Sequence, residues 1–131
     1  MALIRALIRR RVKDLHLLTV PIGGLAADLL IGAGAVKTLE SAAVSLGEAG
    51  PAPRFSEAVE GGALDMRDST CPAIHTALQA AEKGVDFMPL GGLVGSDLVD
   101  NRDDWKVVDD PLGQGGGPVV LLPAIKPAVT I

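Results

Sequence analysis

The chain has 131 residues, 48% of them hydrophobic, so it is long enough for one domain with a buried core. Two Phe, one Trp and no Tyr leave that core to Leu, Val, Ile and Ala, a mix that suits a sheet buried on both faces. A net charge of −4 and the lack of aromatic stacking platforms argue against nucleic-acid binding, and a single cysteine excludes an internal disulfide, which makes a reducing cytoplasm the simplest address.

The opening segment MALIRALIRRRVK is basic and apolar but lacks the uninterrupted apolar stretch of a secretory signal. Leu3, Ile4, Leu7 and Ile8 share one helical face, and Arg5, Arg9, Arg10 and Arg11 occupy the remainder. The pattern predicts an amphipathic helix packed on a sheet, in preference to a mitochondrial presequence. No apolar run reaches membrane-spanning length, so no membrane partner is expected.

Leu15 to Lys37 contains a strand, a glycine turn, a helix, a second glycine turn and the start of the next strand. His16 to Val20 is the first strand, broken by Pro21, Gly23 and Gly24. Leu25, Leu29 and Leu30 recur at helical spacing, and Gly32 and Gly34 stop that helix with a structural role. A strand follows from Val36 through Leu46, then a Gly/Pro-rich loop to Pro53, a short helix over Arg54 to Glu60 and a strand over Leu64 to Arg67. Asp68, Ser69 and Thr70 offer cap chemistry to a helix running through Lys83, closed by Gly84. Val85 to Met88 reads as a strand ended by Pro89, and LGGLVGSDLVDNRDDW as a loop with one helical turn. Lys106 to Asp109 and Val119 to Leu122 read as strands on either side of DPLGQGGG, and Val129 to Ile131 opens a further strand. The expected fold class is α/β, a three-layer, mostly parallel sheet flanked by helices. It reads as incomplete, because both ends look cut and Met1 reads as an internal methionine of a longer protein.

In open parallel sheets, ligands approach the carboxyl ends of strands, which singles out glycine-bearing turns there. Gly23 and Gly24 form one such turn; Gly91, Gly92, Gly95 and Ser96 form another. Either could bring backbone close to a ligand, and either could be only a turn. Cys71 and His75 lie four apart on one helix, but a small core residue and a half-exposed polar one explain them. With His16 they would still lack a fourth metal ligand, so no metal is expected. Glu40 is the only carboxylate in a strand among apolar neighbours, where burial would suit it to nucleophilic work; a side chain facing solvent is the simpler expectation. The aspartates from Asp97 to Asp110 miss calcium-loop spacing and read as a solvated acidic loop, and Arg9 to Arg11 as a solvated helix end.

Several segments in order carry a family likeness. RALIRRRVKDLHLLTVPIGGLAADLLIGAGAVK, ALQAAEKGVDFMPLGGLVGSDL and DDPLGQGGGPVVLLPAIKPAVTI together resemble the A-type (alpha) polypeptide of a class I CoA-transferase of the glutaconate type. The resemblance covers residues 1–131 and implies one partial A-type domain. Family members have a strand and glycine loop ahead of the first helix and continue past this C-terminus. The likeness implies CoA exchange between an acyl-CoA and a carboxylic acid by covalent ping-pong chemistry, with coenzyme A as substrate and no resident cofactor. In two-subunit members the nucleophilic glutamate lies on a B-type subunit. This chain has no matching Glu-Asn-Gly segment, so no catalytic residue is assigned to it. Its implied part is half a site, in which Gly23, Gly24, Gly91, Gly92, Gly95 and Ser96 line a substrate and CoA cleft completed by the partner. An acyl-CoA hydrolase or ring-opening relative and a non-catalytic remnant remain as alternatives.

Overall fold

The computed structural model describes residues 1–130, which form two compact units, Met1–Ser69 and the residues from Thr70 on. In the first, helices α1 (Ala2–Arg9), α2 (Leu25–Gly32) and α3 (Pro53–Glu60) alternate with strands β1 (Leu15–Thr19), β2 (Val36–Ser41) and β3 (Asp65–Asp68). The strands pair in parallel in the order β1-β2-β3, as expected for α/β connections that each pass through a helix. Leu39, on the central strand, is fully buried against Ile4 of α1, Leu30 and Ile31 of α2 and Leu64 before β3. This core is aliphatic, and Phe55 sits only at its margin.

Long-range polar contacts finish the helices that local sequence leaves open. Lys13 Nζ donates to Ala33 O at 3.1 Å and Gly34 O at 3.0 Å, satisfying carbonyls at the end of α2 where a cation also suits the helix dipole. The N-cap position of α3 is Ala52, which has no side-chain acceptor. Asp28, inside the apolar helix α2, replaces it. Its Oδ1 accepts the backbone N–H of Arg54 at 2.9 Å and of Phe55 at 3.1 Å, and its Oδ2 accepts Arg54 Nη1 at 2.8 Å.

The strand expected to run from Val36 to Leu46 ends five residues early, at Ser41. The Ser41 hydroxyl bonds both the carbonyl and the N–H of Ala43, which turns the chain out of the ladder.

The second unit contains α4 (Cys71–Glu82), β4 (Phe87–Leu90), α5 (Asp97–Asp100), β5 (Lys106–Val108) and β6 (Val119–Pro123), with a 3-10 turn at Gly91–Leu93. Thr70 caps α4 by accepting the Ala73 N–H at 3.2 Å, as its position predicts. Here β6 lies between β4 and β5, antiparallel to both. The mostly parallel arrangement therefore holds for the first unit alone. The reason lies in the 109–118 connection, a glycine-rich loop with no crossover helix. Pro89 does not end its strand; it pairs with Leu121 inside β4, where an edge position tolerates the missing N–H. Leu93, Trp105, Val120 and Leu122 pack with Ala73 of α4 to form the second core. Val129, placed in a final strand by its sequence, is exposed and outside any strand, and Ile131 lies outside the described residues.

The β5–β6 loop is organised by one carboxylate. Asp110 accepts the N–H of Leu112 at 3.0 Å, of Gly116 at 3.1 Å and of Gly115 at 2.7 Å. These backbone donors, Leu112 first, hold its carboxyl below the ordinary aspartate range. A carboxylate depressed in this way favours the ordered loop above its unfolded value and ceases to do so as the pH falls through its folded one. Amide exchange at Leu112, Gly115 and Gly116, corrected for intrinsic pH dependence, is therefore expected to show loss of protection only below about pH 4. The Asp110→Asn variant should show that loss already at neutral pH; unchanged protection in it would exclude this role for the carboxylate.

Candidate functional site

The carboxyl end of β1 leads through a cis Val20–Pro21 bond to Gly23 and Gly24. Gly23 is bound through both of its backbone polar groups. Its N–H donates to Ala43 O at 2.8 Å, its carbonyl accepts the Ser45 N–H at 2.9 Å, and it forms a parallel bridge with Val44. A Cβ at this position would lie 3.1 Å from Ala27 Cβ, Thr19 Cγ2 and Val44 Cγ2. Gly23 is thus a glycine because three segments close on it, and its backbone groups are already used.

Gly24 differs. It is the N-cap residue of α2, in extended conformation (φ −101°, ψ −152°), with no side-chain cap, and a Cβ there would meet only Ser45 O at 4.0 Å. The first-turn N–H groups of a helix have no partner within it, so the start of α2 presents Leu25, Ala26 and Ala27 N–H groups beside the strand end with a partial positive charge. Such a start suits a carboxylate or a developing oxyanion.

Beneath this turn lie two hydroxyls that the sequence reading did not single out. Thr19 and Ser41, the last residues of β1 and β2, are register partners; both are buried and hydrogen-bonded to each other. A hydroxyl residue at the end of each of two neighbouring strands was the available signal.

Glu40 is a correction. It is 4% exposed, in the central strand, with Oε2 3.5 Å from Nε2 of His16. Expecting it to face solvent overlooked that β2 has a strand on each side. Strand alternation places its side chain on the opposite face from Ser41, so it does not join the Thr19–Ser41 hydroxyls.

In the second unit, Gly91 and Gly92 form an exposed 3-10 turn in which an added Cβ would meet nothing within 4 Å. Gly95 has φ +83°, a left-handed conformation that a side chain disfavours. Ser96 donates its hydroxyl to Leu93 O at 2.8 Å, and buried Leu93 anchors the loop in the core. Cys71 and His75 lie one turn apart on α4, partly buried and exposed respectively. Among the described residues no three His, Cys, Asp or Glu side chains converge as a metal site, and no helix is long and apolar enough to cross a membrane.

No protein-family model matches the chain. It is 30% identical over 128 residues to the A-type polypeptide of the 3-oxoadipate CoA-transferase of Pseudomonas knackmussii, and this match covers 95% of the chain and 44% of the relative. It is 31% identical over 132 residues to the cholesterol ring-cleaving hydrolase IpdA subunit of Mycobacterium tuberculosis, covering 96% and 44%. Among solved structures, it is similar to a variant of the decarboxylase AibA/AibB (TM-score 0.84, 30% identity, 97% of this chain and 48% of that one). It also superposes on glutaconate coenzyme A-transferase from Acidaminococcus fermentans (TM-score 0.81, 26% identity, 92% and 43%). The chain spans a little under half the length of the relatives it matches. In sequence it is similar to the A-type polypeptide of a CoA-transferase, and in fold to glutaconate coenzyme A-transferase, over more than nine-tenths of its own length.

Proposed function

We propose that the chain acts as the A-type part of a CoA-transferase, moving CoA between an acyl-CoA and a carboxylic acid together with a B-type subunit. The observation that carries this reading is the 30% identity to the A-type polypeptide of a CoA-transferase over 95% of the chain. The uncapped start of α2 beside a parallel strand end gives that likeness a physical counterpart. The nucleophile is a glutamate of the partner. Its carboxylate attacks the thioester carbonyl and expels the CoA thiolate, which then attacks the glutamyl carbonyl and releases the first acid; the steps reverse on the second acid. Coenzyme A is substrate throughout, with no resident cofactor.

In this reading Gly24 and the first turn of α2 provide N–H groups to a substrate oxygen, and Gly23 contributes by holding them. The exposed Gly91 and Gly92, with Gly95 and Ser96 shaping their loop, provide a second stretch of backbone for substrate or CoA. The assembly is heteromeric and, with a single cysteine in the chain, sits in a reducing cytoplasm. The Mycobacterium tuberculosis relative, named a ring-cleaving hydrolase, favours a second reading in which water replaces the acceptor acid.

Co-expression with a B-type subunit, followed by a CoA-transfer assay, tests this. Acyl-CoA formed from a free acid is expected only from the complex. CoA release to water alone would establish the hydrolase, and a folded complex with neither activity would leave a non-catalytic remnant. Borohydride or hydroxylamine trapping should place the thioester adduct on the partner; an adduct on this chain would overturn the division of labour.

A further inference from the structure

We propose that Thr19 and Ser41 form a hydroxyl latch that positions the Gly23–Gly24 turn. The inference rests on the reading of that turn as substrate-facing, and it concerns residues that touch no substrate themselves.

The direction of the hydrogen bonds follows from counting protons. Ser41 Oγ donates to Ala43 O at 2.8 Å, which uses its one proton. The bond between Thr19 and Ser41 must therefore run from the threonine hydroxyl to the serine oxygen. Ser41 Oγ also accepts the Ala43 N–H at 3.1 Å. Ala43 O in turn receives the Gly23 N–H at 2.8 Å, and the Gly23 carbonyl receives the Ser45 N–H at 2.9 Å. An unbroken series of bonds thus runs from Thr19 through Ser41 and Ala43 to Gly23, whose next residue starts α2.

Packing reinforces it. Thr19 Cγ2 is one of the three carbons that fill the space a Cβ of Gly23 would need, so one side chain meets the turn by its methyl and Ser41 by its hydroxyl. Valine at both positions would have satisfied an apolar strand end without polar groups to accommodate. The use of two buried hydroxyls instead fixes the 42–45 segment in one conformation, because every proton has one destination. Groups that face a reacting atom lose rate steeply when displaced, and a latch of this kind affects turnover through placement.

The experiment compares Thr19→Val, Ser41→Ala and the conservative Thr19→Ser in the complex with the B-type subunit. Two readouts separate latch from function. Amide exchange at Gly23 and Ser45 is expected to rise at least tenfold in Thr19→Val and Ser41→Ala and to return close to wild type in Thr19→Ser. In the transfer assay, kcat is expected to fall about tenfold in the first two with KM for acyl-CoA within about twofold, and to be rescued in Thr19→Ser. Unchanged exchange at Gly23 and Ser45 overturns the latch whatever the activity. Raised exchange with wild-type kcat overturns its positioning role. Raised exchange in the variants of a complex whose wild type transfers no CoA refutes the function proposed above while leaving the latch in place.

Discussion

Asp28→Ala is expected to lower the unfolding free energy by about 3 kcal/mol, one of the largest effects of any single polar substitution in the chain. The carboxylate is 0% exposed and receives three donors. Two of them are backbone N–H groups of α3 that no local residue can satisfy, since Ala52 precedes the helix and Pro53 begins it. Removing the acceptor strands these donors in the interior and opens a void in a packed helix interface. The ion pair contributes the smaller share, because the Arg54 side chain is 48% exposed and can turn to water. Arg54→Ala should therefore cost less than about 1 kcal/mol, and Asp28→Asn, which keeps one acceptor oxygen, about 1–2 kcal/mol. Urea unfolding measures all three, as a shift in midpoint at constant slope. A loss below about 1 kcal/mol in Asp28→Ala would mean that α3 is not capped from α2.

The same pair explains Gly32, which the sequence marks only as a helix stop. A Cβ there would run into the stem of Arg54, with Cγ 2.9 Å away and Cδ closer still. Glycine at the end of α2 lets the arginine cross it to reach Asp28. The helix stop was visible in the sequence; its partner, far along the chain, was not.

That contrast runs through the molecule. The order of helices and strands between Leu15 and Glu82 was legible because glycine and proline punctuate much of the segment, and because Thr70 announces α4. Antiparallel pairing of β6 was written in the helix-free connection after Asp109, but a reading built on alternating α and β units passed over it. Burial of Glu40 depends on which strand occupies the middle of the sheet, a property of topology that no local window contains. At the candidate site, the glycines stood out by composition. The division between Gly23, held on both backbone groups, and Gly24, open at the start of α2, arises from the 43–45 segment folding back from another part of the chain.

Gly23→Val should consequently be the most damaging substitution at the site, although Gly23 itself has no backbone group left to offer a ligand. Its Cβ would arrive 3.1 Å from three carbons belonging to β1, to α2 and to the returning segment. Ala27 Cβ is fixed to its helix, and Thr19 and Val44 are β-branched with restricted rotamers, so none can yield without backbone movement. Valine adds two further methyl groups to that contact, an overpacking expected to cost about 2 kcal/mol. The segments must separate, and a shift of about 1 Å at the start of α2 is enough to reduce kcat by about 100-fold. Gly24→Ala supplies the comparison. Its added methyl faces only Ser45 O at 4.0 Å and its backbone is already extended, so stability should change by less than about 1 kcal/mol and kcat by less than about tenfold. Steady-state transfer kinetics and urea midpoints on both variants in the assembled complex decide the matter. If Gly24→Ala proved the more harmful to kcat, contact with substrate at residue 24 would outweigh placement by residue 23, and the closed packing around Gly23 would matter to folding alone.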